Sequence, residues 1–293
     1  MTRVSSKGHS LKSVCDLVGI SRQAYYKRKS KQAIRNDLYN SVEQVVIDNR
    51  KVKSRAGLRS IYHKENMSTL LGINKFEQQM SMRGLALKPY KSYIKTTDSR
   101  GHYYKYDNLI SGLEITEENK VIVGDITYYQ NATGLYYIFH FKDYYTLETK
   151  GLLGSKNMEG INAERCLRQV FAYNAQSKYN YGMILHTDAG SQYRSHKFQK
   201  MLRTAQIRPS HAKSCFENGL SERENGILKN EYLIDYNIKS VTQLNRVLKK
   251  VQFSINNTWP SGRLGYKTPR QFAQWLRKIE IDKRPVKIVK IVQ

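Results

Sequence analysis

"KVIVGDITYYQ", residues 120–130, sets one carboxylate inside a run of β-branched and aromatic residues. Alternation along a strand puts Val121, Val123, Asp125 and Thr127 on one face. A charge flanked by Val and Ile is costly unless it is paired or bound to metal. The plain alternative is an edge strand whose aspartate faces water. Two more β-rich runs follow, "GLYYIFHFKDYY" (134–145) and "TKGLLGS" (149–155), and turn residues separate all three. The segment therefore reads as an antiparallel meander.

Downstream, "MEGINAERCLRQVFAYNAQSK" (158–178) reads as a helix and Tyr181 to Leu185 as a short buried strand. "HTDAGSQYRS" (186–195) then places Asp188 where that strand gives way to a turn. A helix near 195–205, a short strand "IRPS" and a long helix from about Phe216 to Leu233 come next, with more helix near 240–257 and 269–279. This order predicts an α/β layered domain with a mixed sheet. On the long helix, 3.6-residue spacing gathers Asn218, Glu222, Asn225 and Lys229 on a polar face, opposite a stripe of Leu220, Ile227 and Leu228.

Upstream, "HSLKSVCDLVGISRQAYYKRKSK" (9–31) places Leu11, Val14, Cys15 and Val18 on one helical face, breaks at Gly19-Ile20 and restarts with Ser21 as N-cap. Its second helix carries Arg22, Tyr25, Tyr26, Lys27, Arg28 and Lys29, the side chains that a helix lying in a DNA groove presents. Helical spacing continues in "DLYNSVEQVVIDNR" (37–50) and "NKFEQQMSMRGL" (74–85), then fades into a stretch rich in Lys, Tyr, Ser and Gly. The predicted organisation is a helix-turn-helix module (1–33), a second helical module (34–88), a basic linker (89–116), an α/β core (117–279) and a basic tail (280–293). The tail, "KRPVKIVKIVQ" from 283, reads equally as a strand, a DNA-tracking arm or disorder.

With 293 residues, 50 Lys and Arg against 24 Asp and Glu, and a formal charge of +26, the chain calls for a polyanionic partner. No apolar run approaches the ~18 residues of a membrane span, so nucleic acid is expected rather than a membrane. Cys15, Cys166 and Cys215 are scattered, with neither a C-x-x-C pair nor zinc-ligand spacing. Structural zinc is not expected, and a reducing cytoplasm fits. Two aspartates and a glutamate on separate elements, once converged, suit two divalent ions about 3.5–4 Å apart. Mg²⁺ takes oxygen ligands and keeps several waters, so three carboxylates plus phosphate oxygens suffice. That constellation points to phosphodiester transfer without a covalent enzyme intermediate.

"GDITYY" (124–129), "HTDAGSQY" (186–193) and "ENGLSERENGILKNEYL" (217–233) resemble the integrase-type core of DDE transposases, in particular the orfB-type transposases of the bacterial insertion-sequence-three group. Arg55, Gly57, Arg59 and Tyr62 upstream, and Asn256, Asn257, Pro260, Leu264, Thr268 and Pro269 downstream, extend the resemblance over most of the chain. It implies an RNase H-like core and a triad of Asp125, Asp188 and Glu222, holding two Mg²⁺ ions for which Mn²⁺ substitutes. Cleavage at element ends and joining of the 3′ ends to target DNA are implied as well. DNA contacts are expected at Arg22, Tyr26, Lys27, Arg28, Arg55, Arg59, Gln192, Tyr193, Asn218, Asn225 and Lys229. The implied partners are double-stranded DNA, further copies of this chain on that DNA and an upstream-frame protein, and the implied setting is the bacterial nucleoid.

Thirty-three residues separate Asp188 from Glu222, two fewer than the group's commonest spacing, which would land on Glu224. The D/E-N-G/A-x-x-E pattern selects Glu222, and Glu224 falls within the apolar stripe. Other departures are Ile122 in place of a frequent Trp, Trp259 and Ser261 in place of Arg and His, and a strand pair starting at Asp143 without its usual Arg. The competing expectations are an RNase H-like nuclease without strand transfer and a catalytically silent helix-turn-helix DNA-binding protein.

Overall fold

In the computed structural model, which describes residues 10–88, 106–174, 182–212 and 218–289, the meander forms one side of a five-stranded sheet. A short strand, β1 (Glu114–Ile115), leads into β2 (Val121–Asn131), β3 (Gly134–Asp143) and β4 (Thr149–Ser155). These last three pair antiparallel. On the other side of β2, β5 (Ile184–Thr187) and β6 (Arg208–His211) run parallel to it, giving the order β4-β3-β2-β5-β6. Asp125 thus sits on the central strand, and the water-facing edge strand is ruled out. The mixed sheet with flanking helices is the RNase H-like core, preceded by an all-helical segment.

Alternation sorts the sheet into two faces. Ile122, Phe139 and Phe141 lie beneath α5 (Gly160–Asn174), α6 (Ser191–Arg194) and α7 (His196–Thr204) in one apolar cluster. Val121, Val123, Tyr136 and Ile138 face the other way, toward α8 (Gly219–Gly226), α9 (Val241–Asn257) and α10 (Pro269–Leu276). α10 starts in a capping box in which Thr268 and Gln271 exchange side-chain and backbone hydrogen bonds, with Pro269 preset in the first turn. Two glycines permit close approach. A Cβ on Gly124 would meet the Phe141 ring at 2.3 Å, and one on Gly151 would lie 2.7 Å from the backbone carbonyl of Cys166 on α5.

The N-terminal helices are α1 (Leu11–Val18), α2 (Arg22–Val52), α3 (Leu58–Lys64) and α4 (Ile73–Met82). Gly19 ends α1 in the left-handed conformation, and the Ser21 hydroxyl accepts from the Ala24 N–H at 3.1 Å to start α2. On α1 only Cys15 is buried, and Val18 is exposed, so the apolar face is narrower than the spacing predicts. α2 runs unbroken through residues 33 and 34, so the two helical modules share one helix. Val42, Val46, Tyr62, Phe76 and Met80 join Leu228, Tyr232, Leu244 and Trp259 in a single apolar cluster that welds this segment to the core. The His63 ring stacks on Tyr266 at 3.6 Å, and Lys53 sits 4.9 Å over the Trp259 ring. Trp259 therefore serves as an aromatic platform for cations from the helical segment.

Two boundaries differ from the sequence expectation because distant segments pair. Residues 114–115, assigned to the linker, form β1 and pair antiparallel with β7 (Lys287–Ile288) of the tail. Residues 89–105 of the linker and 290–293 of the tail lie outside the described residues. The helix expected from Phe216 to Leu233 is α8 followed by a π-helical segment, Ile227–Tyr232, and residues 213–217 are outside the description. Gly151→Ala should cost about 1–3 kcal/mol through overpacking of α5 on β4, read as a lower urea midpoint at unchanged slope. A neutral result would mean that α5 tolerates displacement.

Candidate active site

The site is built where β2 outruns β5. Parallel register pairs Val121 with Ile184 and Val123 with His186, so two residues farther along Asp125 and Asp188 lie level on neighbouring strands, whose spacing is about 4.8 Å. Asp188 sits just past the end of β5, where its Oδ1 accepts from the Gly190 N–H at 3.1 Å in a tight turn. α8 crosses the same face of the sheet and brings Glu222 within electrostatic reach of Asp125. Asp125 is half-buried on the floor, while Asp188 and Glu222 are exposed. Burial first, then the charge of Asp188, with a smaller push from Glu222, raises the Asp125 carboxyl to about 7.

Asn225, one turn after Glu222, holds Asp125 in place. Its Nδ2 donates to Asp125 Oδ2 at 2.9 Å, and the Ile126 N–H donates to Oδ1 at 2.8 Å. The Asn225 amide oxygen can only accept, so the 2.9 Å contact with His140 Nε2 is donated by the imidazole. His140 is the cross-strand partner of Asp125 and fully buried, and desolvation lowers it to about 4, so it stays neutral. The relay His140 to Asn225 to Asp125 fixes both the amide and the carboxylate.

The opposite side of α8 carries a second polar cluster. Glu224 is 1% exposed; its Oε2 accepts from Lys142 Nζ at 2.5 Å and its Oε1 from Thr149 Oγ1 at 2.8 Å. Burial opposes ionisation of Glu224, but the Lys142 ammonium and its hydrogen bond outweigh it and lower the carboxyl below its ordinary value. The carboxylate in the apolar stripe is thus a buried ion pair that locks α8 to β3 and β4. Glu222 and Glu224 point to opposite sides, and only Glu222 faces the aspartates.

Other expected site residues are placed as follows. Lys229 lies in the π-helical segment, 4.9 Å over the Tyr128 ring. Asn218 is buried and donates to the Gly124 carbonyl at 3.3 Å. Tyr193 is buried among Phe141 and Phe198 beneath the aspartates, and burial together with Asp188 and Asp125 pushes its phenol well above the ordinary value. Gln192 is half-buried beside the Asp188 turn. Arg22, Tyr26, Lys27 and Arg28 are exposed at the start of α2. Arg55 donates to the Lys88 carbonyl, and Arg59 holds Glu77 through two hydrogen bonds of 2.8 and 3.0 Å. The sequence reading missed His140, Lys142 and Thr149. Its available signal was the alternation Ile138, His140, Lys142 on the face opposite Phe139 and Phe141.

Among the described residues no three His, Cys, Asp or Glu side chains converge tightly enough to grip a metal ion as they stand. The donors are nonetheless of the right kind: three carboxylates supply hard oxygen ligands, two of them now turned toward N–H donors that offset their charge.

Residues 115–214 match the family model of the integrase core domain, a span that includes Asp125 and Asp188 and stops before Glu222. The chain is similar to the transposase for insertion sequence element IS904 of Lactococcus lactis, 25% identical over 255 residues, or 85% of this chain and 99% of that protein. It is also similar to the insertion element IS600 uncharacterized 31 kDa protein of Shigella sonnei, 24% identical over 273 residues, 89% of this chain and 97% of the other. Among solved structures, the HTLV-2 integrase catalytic core domain in complex with magnesium aligns with 22% identity over 53% of this chain and 97% of its own, at a TM-score of 0.42. Residues 115–214 thus match an integrase core domain, and over most of its length the chain is similar to proteins encoded by bacterial insertion sequences.

Two outcomes test the electrostatics. Asp125→Asn should stabilise the metal-free protein by about 1–2 kcal/mol at pH 8. A carboxyl raised from about 4 to about 7 destabilises the native state wherever the unfolded chain would ionise it, increasingly from about pH 4 and fully above about pH 7. The gain should shrink as pH falls through 7 and vanish near 4, followed by urea unfolding across pH; a gain independent of pH would contradict the buried-charge account. Lys142→Met should cost about 3–5 kcal/mol by leaving Glu224 charged and unpaired, with most of it recovered in Lys142→Met/Glu224→Leu. Equal instability of both variants would show that the pair is not what holds α8.

Proposed function

We propose that this chain is an orfB-type transposase of the insertion-sequence-three group, cleaving at the ends of a mobile element and transferring the 3′ ends to target DNA. The observation that carries the reading is the convergence of carboxylates: Asp125 and Asp188 lie level on neighbouring strands, and α8 brings Glu222 within electrostatic reach of Asp125. Three carboxylates held against their mutual repulsion at a surface opening destabilise the fold, and a divalent cation relieves that cost. Asp125, Asp188 and Glu222 would hold Mg²⁺, with Mn²⁺ as a substitute. Bound there, such ions would supply Lewis-acid activation of an attacking oxygen and charge stabilisation of a departing one.

The protein's own groups do the remaining work. Asn225 and the Ile126 N–H orient Asp125, and His140 prevents the amide from turning over. Asp125 gives up its proton more readily above pH 7, so metal affinity and turnover should rise through that range. The exposed Arg22, Tyr26, Lys27 and Arg28 would contact DNA, with Lys229 and Gln192 near the carboxylates as phosphate contacts. A formal charge of +26 makes affinity for DNA steeply dependent on salt. Further copies of this chain and an upstream-frame protein would complete the assembly on paired element ends, in the bacterial nucleoid.

The test incubates wild-type, Glu222→Gln and Lys142→Met/Glu224→Leu proteins with labelled element-end DNA and Mg²⁺, scoring nicked and joined products separately. Glu222→Gln should lose both products by at least about 100-fold, while the folded double variant keeps them. Nicks without joining in the wild type would indicate a nuclease. DNA binding with neither product, the upstream partner supplied, would indicate a silent DNA-binding protein.

A further inference from the structure

A cavity of about 320 Å³ lies in the seam between the helical segment and the core, on the side of α8 away from the carboxylates. Its volume is at the lower end of small-ligand sites. Five cationic side chains line it, Lys53, Arg55, Lys142, Arg223 and Arg263, against two carboxylates, Glu224 and Glu231. Both carboxylates are already bonded to lysines: Lys142 to Glu224 at 2.5 Å and Lys53 to Glu231 at 2.7 Å. Arg223 and Arg263 have no carboxylate within ion-pair distance among the described residues.

Trp259 supplies an independent observation. It lines the cavity and is 5% exposed, and its Nε1–H is a buried donor with no hydrogen-bond partner. A buried donor without a partner is costly and is retained where an acceptor visits. Guanidinium forks match the oxygens of a phosphate in pairs, and an indole N–H adds one more donor.

We propose that this seam cavity binds a phosphate ester through Arg223, Arg263 and the Trp259 indole. A DNA backbone phosphate is the source in the reading above, and only that choice of source rests on the reading. A strand held there would cross from the helical segment to the core behind α8. It would engage both parts at once while the carboxylates face the opposite side of the helix.

The chain has two tryptophans, so Trp275→Phe leaves Trp259 as the sole indole reporter in the full-length protein. Its emission is titrated with inorganic phosphate and, separately, with a short duplex, in this background and with Arg223→Gln/Arg263→Gln added. We expect a saturable change with the duplex, weakened at least tenfold by the double substitution, while Lys250→Gln/Lys278→Gln, which removes two charges elsewhere, retains it. Melting temperatures near that of wild type verify folding. A response to inorganic phosphate alone would keep the phosphate site and count against DNA as its source. An indole silent to both ligands, or an equal loss in the lysine control, would overturn the proposal.

Discussion

Parallel pairing of β2 with β5 is the constraint on which the site depends. Because the register is fixed by apolar residues of both strands, Asp125 and Asp188 have no choice but to emerge side by side, and their repulsion is written into the fold. The surrounding structure offsets that repulsion locally: an Asn225 amide and a backbone N–H for Asp125, a turn N–H for Asp188. Each of these is a weak dipole rather than a full positive charge. Asp125 is thus held by dipoles, which orient a carboxylate without supplying a counter-charge.

The same helix that delivers Glu222 is fixed by chemistry of the opposite kind. Glu224 has a full ionic partner in Lys142 and a hydroxyl from Thr149, all three buried. Apolar packing alone would let α8 rotate at small cost, since Leu and Ile contacts have no direction. An ion pair with 2.5 Å geometry does have direction, and it sets which face of α8 meets the aspartates. A destabilising carboxylate cluster and a directional buried pair thus sit back to back on one short helix.

How much of this was legible in the sequence follows from how local each feature is. The alternation of 120–130 and the helical spacing of 218–229 depend on neighbours within a few residues, and both placed their carboxylates on the faces observed. Glu224 could be read as buried but not as paired, because its partner lies eighty-two residues away on β3. His140 escaped notice for the same reason: its link to Asp125 exists only after β2 and β3 are in register and α8 has closed over them. The pairing of residues 114–115 with 287–288 joins the ends of the core, and nothing local marks it. The continuity of α2 is a different case, since no Pro or Gly interrupts residues 22–52 and a change of composition near 33 does not end a helix.

That continuous helix has a consequence for how the molecule can be altered. α2 spans 31 residues, roughly 46 Å at 1.5 Å per residue, and residues 26–37 are exposed all round while Val42, Val46 and Asn49 root its far end. It behaves as a spindle: each residue added or removed along the bare stretch turns everything N-terminal to it by about 100°. Length and orientation are therefore tied together, and only changes near whole turns preserve the heading of the basic tip. Drift in the sequence of that stretch is cheap, but drift in its length is not.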